Sequence, residues 1–173
     1  DSAGNSFTGT LAFLSGGTLA DITIYDTTAL TIPAPLTISG TLTATSEISI
    51  GQDAGALAGA ALAATTLNNA GGAITLNQST NDFDTVSLRA LDSTGATNAA
   101  GAVSYADADG FQISANDVRT SSDATLSAGG AVTEAVGGIV QADGLRLLGT
   151  GSFTMTETAN AVATLAGNVT GAV

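Results

Sequence analysis

An all-β fold built from stacked parallel turns, a β-solenoid, is expected from three observations. The chain repeats itself: Ala102 to Ile113 (AVSYADADGFQI) matches Ile22 to Ile32 (ITIYDTTALTI), with Asp107 against Asp26. Short triplets recur at close spacing: Ile22-Thr23-Ile24, Leu30-Thr31-Ile32, Leu36-Thr37-Ile38, Leu42-Thr43-Ala44 and Ile48-Ser49-Ile50. Apolar, polar, apolar is the pattern of a half-buried strand. Finally, aromatic residues are only 4% of the chain while Gly reaches 22 residues, which suits thin, closely stacked layers better than a round core.

Taken in order, residues 1–4 are small and polar, and Asn5-Ser6-Phe7 opens a signal that returns as Asn81-Asp82-Phe83 and Asn160-Ala161-Val162. Ala73-Ile74-Thr75-Leu76 resembles Ser152-Phe153-Thr154-Met155, and the closing Thr170-Gly171-Ala172-Val173 repeats Ala100-Gly101-Ala102-Val103. The expected organisation is one solenoid segment over 1–173, with units near 5–80 and 81–159 and a partial third at 160–173, sliced from a longer repetitive protein. The offset between copies is not constant: Asn5 to Asn81 is shorter than Leu42 to its counterpart Leu126. That drift places insertions in loops outside a regular stack. At about 20 residues per rung the chain holds roughly eight rungs. At about 4.8 Å per rung they form a stack on the order of 40 Å long.

Ala54 to Thr66 (AGALAGAALAATT) has a helix-favouring composition. Its two glycines and the closing Thr pair place it as a rung instead. A string of antiparallel sandwiches also fits a unit as long as Asn5 to Asn81. The scarcity of aromatic anchors, the short strands and the lack of hairpin dipeptides such as Asn-Gly weigh against it.

The chain carries 15 acids, three arginines (Arg89, Arg119, Arg146), no Lys and no His, for a net charge of −12. That balance argues against nucleic acid or an anionic membrane as partner. The longest apolar run, Ala54 to Ala64, is too short for membrane insertion. With no Cys, stability comes from stacking and hydrogen bonds alone. Lacking His, Cys and Lys, the chain lacks most general bases and nucleophiles, so no catalytic residue and no enzyme activity are expected. Asp82 and Asp84 are the nearest approach to the carboxylate pair of a glycosidase and read as solvated turn acids.

Asp107 and Asp109, followed by Gly110, look like the start of a calcium loop, because alternating oxygen ligands can wrap a hard cation. No other cofactor is suggested. The run lacks a later bidentate Glu, and its earlier copy, Asp26-Thr27-Thr28-Ala29, lacks the second acid and the Gly, so an Asx-type turn is the preferred reading. Asn5, Asn81 and Asn160 are read as local corner caps bonding their own backbone. Thr23, Thr31, Thr37 and Thr43 form a Thr-rich row that, on one flat face, resembles an ice-binding or glycan-binding surface, although the second unit replaces it with Ser104, Gln112, Arg119 and Ser127. Asn77-Gln78-Ser79 and Asn168-Val169-Thr170 are formal glycosylation sequons.

The Asn-Asp-Phe start with Thr85-Val86-Ser87-Leu88, the run Tyr105-Ala106-Asp107-Ala108-Asp109-Gly110-Phe111, Gly129-Gly130-Ala131-Val132-Thr133 and Leu147-Leu148-Gly149-Thr150-Gly151-Ser152-Phe153 together resemble very large bacterial exoproteins of the filamentous haemagglutinin type. The resemblance implies a right-handed parallel β-helix, exported by two-partner secretion and displayed at the cell surface as a rod or fibre. It also implies a role in adhesion, aggregation or biofilm. The implied partners are further repeats of the same chain, end-to-end copies, and surface glycans or proteins. Neither Asp1 to Asn5 nor Val169 to Val173 reads as a capping element, so both end turns are expected to be continued by similar turns.

Overall fold

The computed structural model describes residues 4–13 and 18–173. Among the described residues fifteen strands, from Ile22–Asp26 to Ala161–Val169, join into one sheet whose strand pairs all run parallel. The chain coils into a β-solenoid of about seven turns with about 21 residues per turn. That is one turn fewer than a uniform rung of about 20 residues implies, because two turns are lengthened. Along one column the step from Leu30 to Ile50 is short, the step from Ile50 to Ile74 is longer, and the step from Ile74 to Val103 is longer still.

The longest step contains an excursion between Leu91 and Asn98, which form an isolated antiparallel bridge. Asp92 organises it. Its carboxylate accepts the Thr97 and Thr94 hydroxyls and the Thr94 and Ala96 N–H groups. Those hydroxyls, Thr97 first, hold the Asp92 carboxyl well below the usual carboxylate range.

The triplets are strands for the expected reason. Alternate residues face inward, and each inward side chain lies over its counterpart one turn away. One column runs Leu30, Ile50, Ile74, Val103, Ala124, Leu145 and Leu165. A second runs Ile24, Ala44, Ala64, Leu88, Val118 and Val140. A third runs Ile22, Leu42, Leu62, Val86 and Ile113. Apart from Leu165 every one of these residues is buried. The Ala-rich stretch is the strand Leu57–Leu67, not a helix: its period-two burial puts Leu62, Ala64 and Thr66 inside, where pairing on both sides outweighs helix propensity.

The columns also separate the two matched segments. Ile22 stacks with Leu42, whereas Val103 stacks between Ile74 and Ala124. The stacking unit is therefore the single turn, since backbone pairing demands equivalence only with the turn above and the turn below. The strand Gln112–Arg119 shows how an insertion is absorbed. Its register breaks between Ile113 and Val118, Asp117 takes a positive φ of 74°, and the Asp117 carboxylate accepts the Ile139 N–H of the next turn at 2.9 Å.

At the corners successive turns approach too closely for a side chain. A Cβ on Gly151 would overlap the Gly130 carbonyl oxygen, and one on Gly101 would overlap that of Gly72. Gly151→Ala is expected to push two turns apart, lowering the denaturant midpoint at least as much as a cavity does. For comparison, Leu62→Ala should cost about 2–5 kcal/mol. Equilibrium unfolding of both variants checks this; an unchanged midpoint for Gly151→Ala would show that the corner has slack.

Candidate functional site

The densest group of chemically interesting side chains lies at one corner, where Asn81-Asp82-Phe83 of one turn meets Tyr105-Ala106-Asp107-Ala108-Asp109 of the next. The two motifs are far apart in the sequence but adjacent in space. The Ala108 N–H donates to the Asn81 carbonyl at 2.7 Å, and the Phe83 N–H donates to Asp107 Oδ2 at 3.2 Å. Asp107 is buried, 3% exposed, and also accepts the Tyr105 hydroxyl at 2.5 Å and the Asp109 N–H at 3.2 Å. The last contact is the Asx-type turn expected from the sequence. Tyr105 is itself held by an edge-on contact with Phe111, ring centroids 5.1 Å apart.

Burial raises the Asp107 carboxyl to about 6, against the opposing pull of the Tyr105 hydroxyl and the Phe83 N–H. Burial, then the Asp107 charge, drives the Tyr105 hydroxyl upward as well. Carboxylate oxygens of Asp82, Asp107 and Asp109 lie within 4.8 Å of one another. These are hard oxygen donors of the type calcium takes, and a calcium ion of six to eight ligands would need water to complete its shell. The structure adds Asp82 to the Asp107 and Asp109 pair read from the sequence, because Asp82 arrives from the neighbouring turn.

The earlier copy makes the same pattern of contacts with fewer acids, at a different position around the coil. The Thr27 N–H donates to the Asn5 carbonyl at 2.8 Å, and Asp26 Oδ1 accepts the Phe7 N–H at 3.3 Å and the Thr28 N–H at 2.9 Å. Asp26 is fully buried, and its Oδ2 has no hydrogen-bond partner among the described residues.

Asn81 and Asn160 differ from their expected role. Asn81 is not merely a local cap: it exchanges two 2.9 Å hydrogen bonds with Gln52, accepts the Leu57 N–H at 3.0 Å and donates to the Leu76 carbonyl at 3.1 Å. Asn160 likewise reaches the preceding turn, accepting the Val140 N–H at 2.7 Å and donating to Glu134 at 2.7 Å. Sequence spacing could not show this, because partners such as Gln52 and Glu134 belong to other turns.

Of the four Thr residues read as one face, only Thr23 and Thr43 are register partners. Thr31 pairs with Gly51 and Thr37 with Ala58, each in a different column, so the four are not gathered into one row. Period two puts all of them outward; the corners then distribute them around the coil. Asp82 and Asp84 sit on the strand Asp82–Leu91, not in a turn, and both are exposed.

A family model described as repeats of unknown function, DUF5649, matches residues 17–89. No curated protein and no solved structure matches the chain. The matched stretch contains the first four residues of the third column, Ile22 to Val86, and the fold defines the class: a repeat β-solenoid scaffold.

Two outcomes follow from the corner. Because Asp107 takes up its proton in the folded chain at about 6, above its ordinary 3.8, the folded state binds the proton first as pH falls. Its contribution therefore makes the fold more stable as pH drops from about 6 toward 4. Denaturation midpoints across that window should show the rise, and Asp107→Asn should flatten it. Asn81→Ala should cost roughly 2–4 kcal/mol in urea unfolding, because it strands the buried Leu57 N–H and Leu76 carbonyl and unpairs Gln52. A loss under about 0.5 kcal/mol would mean that water replaces the amide without penalty.

Proposed function

We propose that the chain is a structural rod segment of a secreted or surface-displayed bacterial exoprotein of the filamentous haemagglutinin type, serving adhesion, aggregation or matrix formation by spacing and display rather than by catalysis. The resemblance of its motifs supports this reading, as does the repeat scaffold. One observation carries it: every strand pair is parallel and turn stacks on turn, so the chain builds a repeat scaffold with the same pairing at each step. The strand Ala161–Val169 pairs on one side only, with Val140–Gly149, and nearly all of it is exposed. Beside it Leu147, Phe153, Met155, Val162, Leu165 and Val173 line an open apolar hollow.

Leu165 is 61% exposed although it belongs to the column that is buried at every earlier turn. An open strand edge beside apolar surface templates another strand. A second copy of this chain stacked end to end would match both the hydrogen-bonding row and the aliphatic column of this face. The acids on the outer walls keep rods apart sideways, so growth is axial. The segment itself should associate through this face at high concentration, and Leu165→Glu should return it to monomer in sedimentation velocity. A wild-type segment that stays monomeric, with its last turn as protected from hydrogen exchange as its middle, overturns the reading.

A further inference from the structure

Arg89 and Arg119 are register partners on adjacent parallel strands, so two of the chain's three cations point the same way from neighbouring turns. Parallel neighbours lie about 4.8 Å apart, and like charges directly opposite one another are destabilising. With 15 acids in the chain, an acid opposite an arginine would have relieved this, yet neither arginine has a carboxylate partner among the described residues. Arg119 is oriented through its Nε, which donates to Asn98 Oδ1 at 3.0 Å, and Asn98 in turn donates to Gln141 Oε1 at 3.3 Å. Arg89 has no hydrogen bond or ion pair among the described residues. Both side chains are half-buried, which strengthens their field relative to a fully solvated cation.

Beside Arg89 runs an open groove of about 320 Å³ whose walls include Thr43, Thr45, Thr65, Ser87 and Asn116. It lies under the 114–117 excursion, and the Ser87 hydroxyl donates to the Asn116 carbonyl at 3.1 Å. Hydroxyls and an amide can bond sugar hydroxyls, and two guanidinium groups can share a carboxylate; Arg89 lines the groove and Arg119 is its register partner one turn on. Of the residues lining the groove only Leu67 is large and apolar, so it lacks the buried anchor that a protein interface needs. A net charge of −12 repels a polyanion at longer range, which favours a ligand carrying a single negative charge over a nucleic acid.

We propose that Arg89, Arg119 and the adjoining hydroxyl-lined groove form a binding site for a saccharide bearing one carboxylate, a uronic acid residue at a chain end. The site is independent of whether the rod is a stalk. The guanidinium pair takes the carboxylate and the groove takes the ring hydroxyls.

The test is calorimetric titration of the intact chain with a disaccharide ending in glucuronate, its neutral glucose counterpart, and inorganic sulfate. The glucuronate form should bind with a dissociation constant below about 1 mM, and the neutral form about tenfold more weakly, a difference of about 1.4 kcal/mol. Added salt should weaken the first and leave the second unchanged. Arg89→Gln and Arg119→Gln should each cost about tenfold in glucuronate affinity while raising the melting temperature, because each removes a like-charge contact; Arg146→Gln removes the same charge elsewhere and should leave binding unchanged. Equal affinity for sulfate, equal loss with Arg146→Gln, or no saturable binding of the glucuronate disaccharide overturns the proposal.

Discussion

Everything in this molecule depends on backbone hydrogen bonds between one turn and the next. A strand as short as Leu30–Ile32 has no stability of its own. Paired with Ile50–Gln52, it gains partners for its N–H and C=O groups and a lid for its side chains at once. The pairing also sets the composition. Turns about 4.8 Å apart leave no room at the corners for bulk, so Gly72, Gly101, Gly130 and Gly151 sit where a Cβ would strike the carbonyl of an adjoining turn. The same closeness lets Ala serve as a core residue at Ala44, Ala64 and Ala124, where a round core would demand larger side chains.

The stack must turn corners, and the corners are where polar atoms enter the interior. Ser46, Thr66, Asn81, Asp107 and Thr120 are all buried. Each stitches backbone across a corner: Ser46 Oγ donates to the Thr28 carbonyl, Thr66 to that of Gly72, and Thr120 to that of Gly101. A satisfied polar group of this kind fixes register, because a slip of one residue would strand it in an apolar column. Asp107 is the case where this need collides with electrostatics. Its carboxylate is well supplied with donors, yet Asp82 and Asp109 crowd it, and burial makes the charge costly. A corner useful for geometry thereby holds a carboxyl that takes up its proton more readily than an ordinary aspartate.

Outside the core the walls divide the labour. Acids dominate, while the paired arginines form one local reversal of sign on a ladder of otherwise neutral residues, Thr45, Thr65 and Gln141. The end face is different again, apolar and open-edged. The proposed end-to-end contact and the proposed saccharide site lie on separate surfaces, so one need not interfere with the other.

The class of fold was legible in the residues alone. The Ile-Thr-Ile and Leu-Thr-Ile triplets, the scarcity of aromatics and the abundance of Gly left stacked short strands as the arrangement that satisfies every backbone group, and period two already said which residues face inward. The Asx turn at Asp107 was equally legible, because an acid followed by small residues and Gly specifies it locally. Which turn lies against which emerged only from the folded coil. The match of Asp26 with Asp107 looked like the repeat, but insertions of unequal length shift the columns, so Ile22 and Val103 stand in different ones. For the same reason the Thr row dispersed, the asparagines became ties between turns, Asp82 joined Asp107, and Arg89 came to face Arg119. Each of these depends on the length of a single turn, which its loops set, and backbone pairing between turns leaves no mark on the local pattern of either strand.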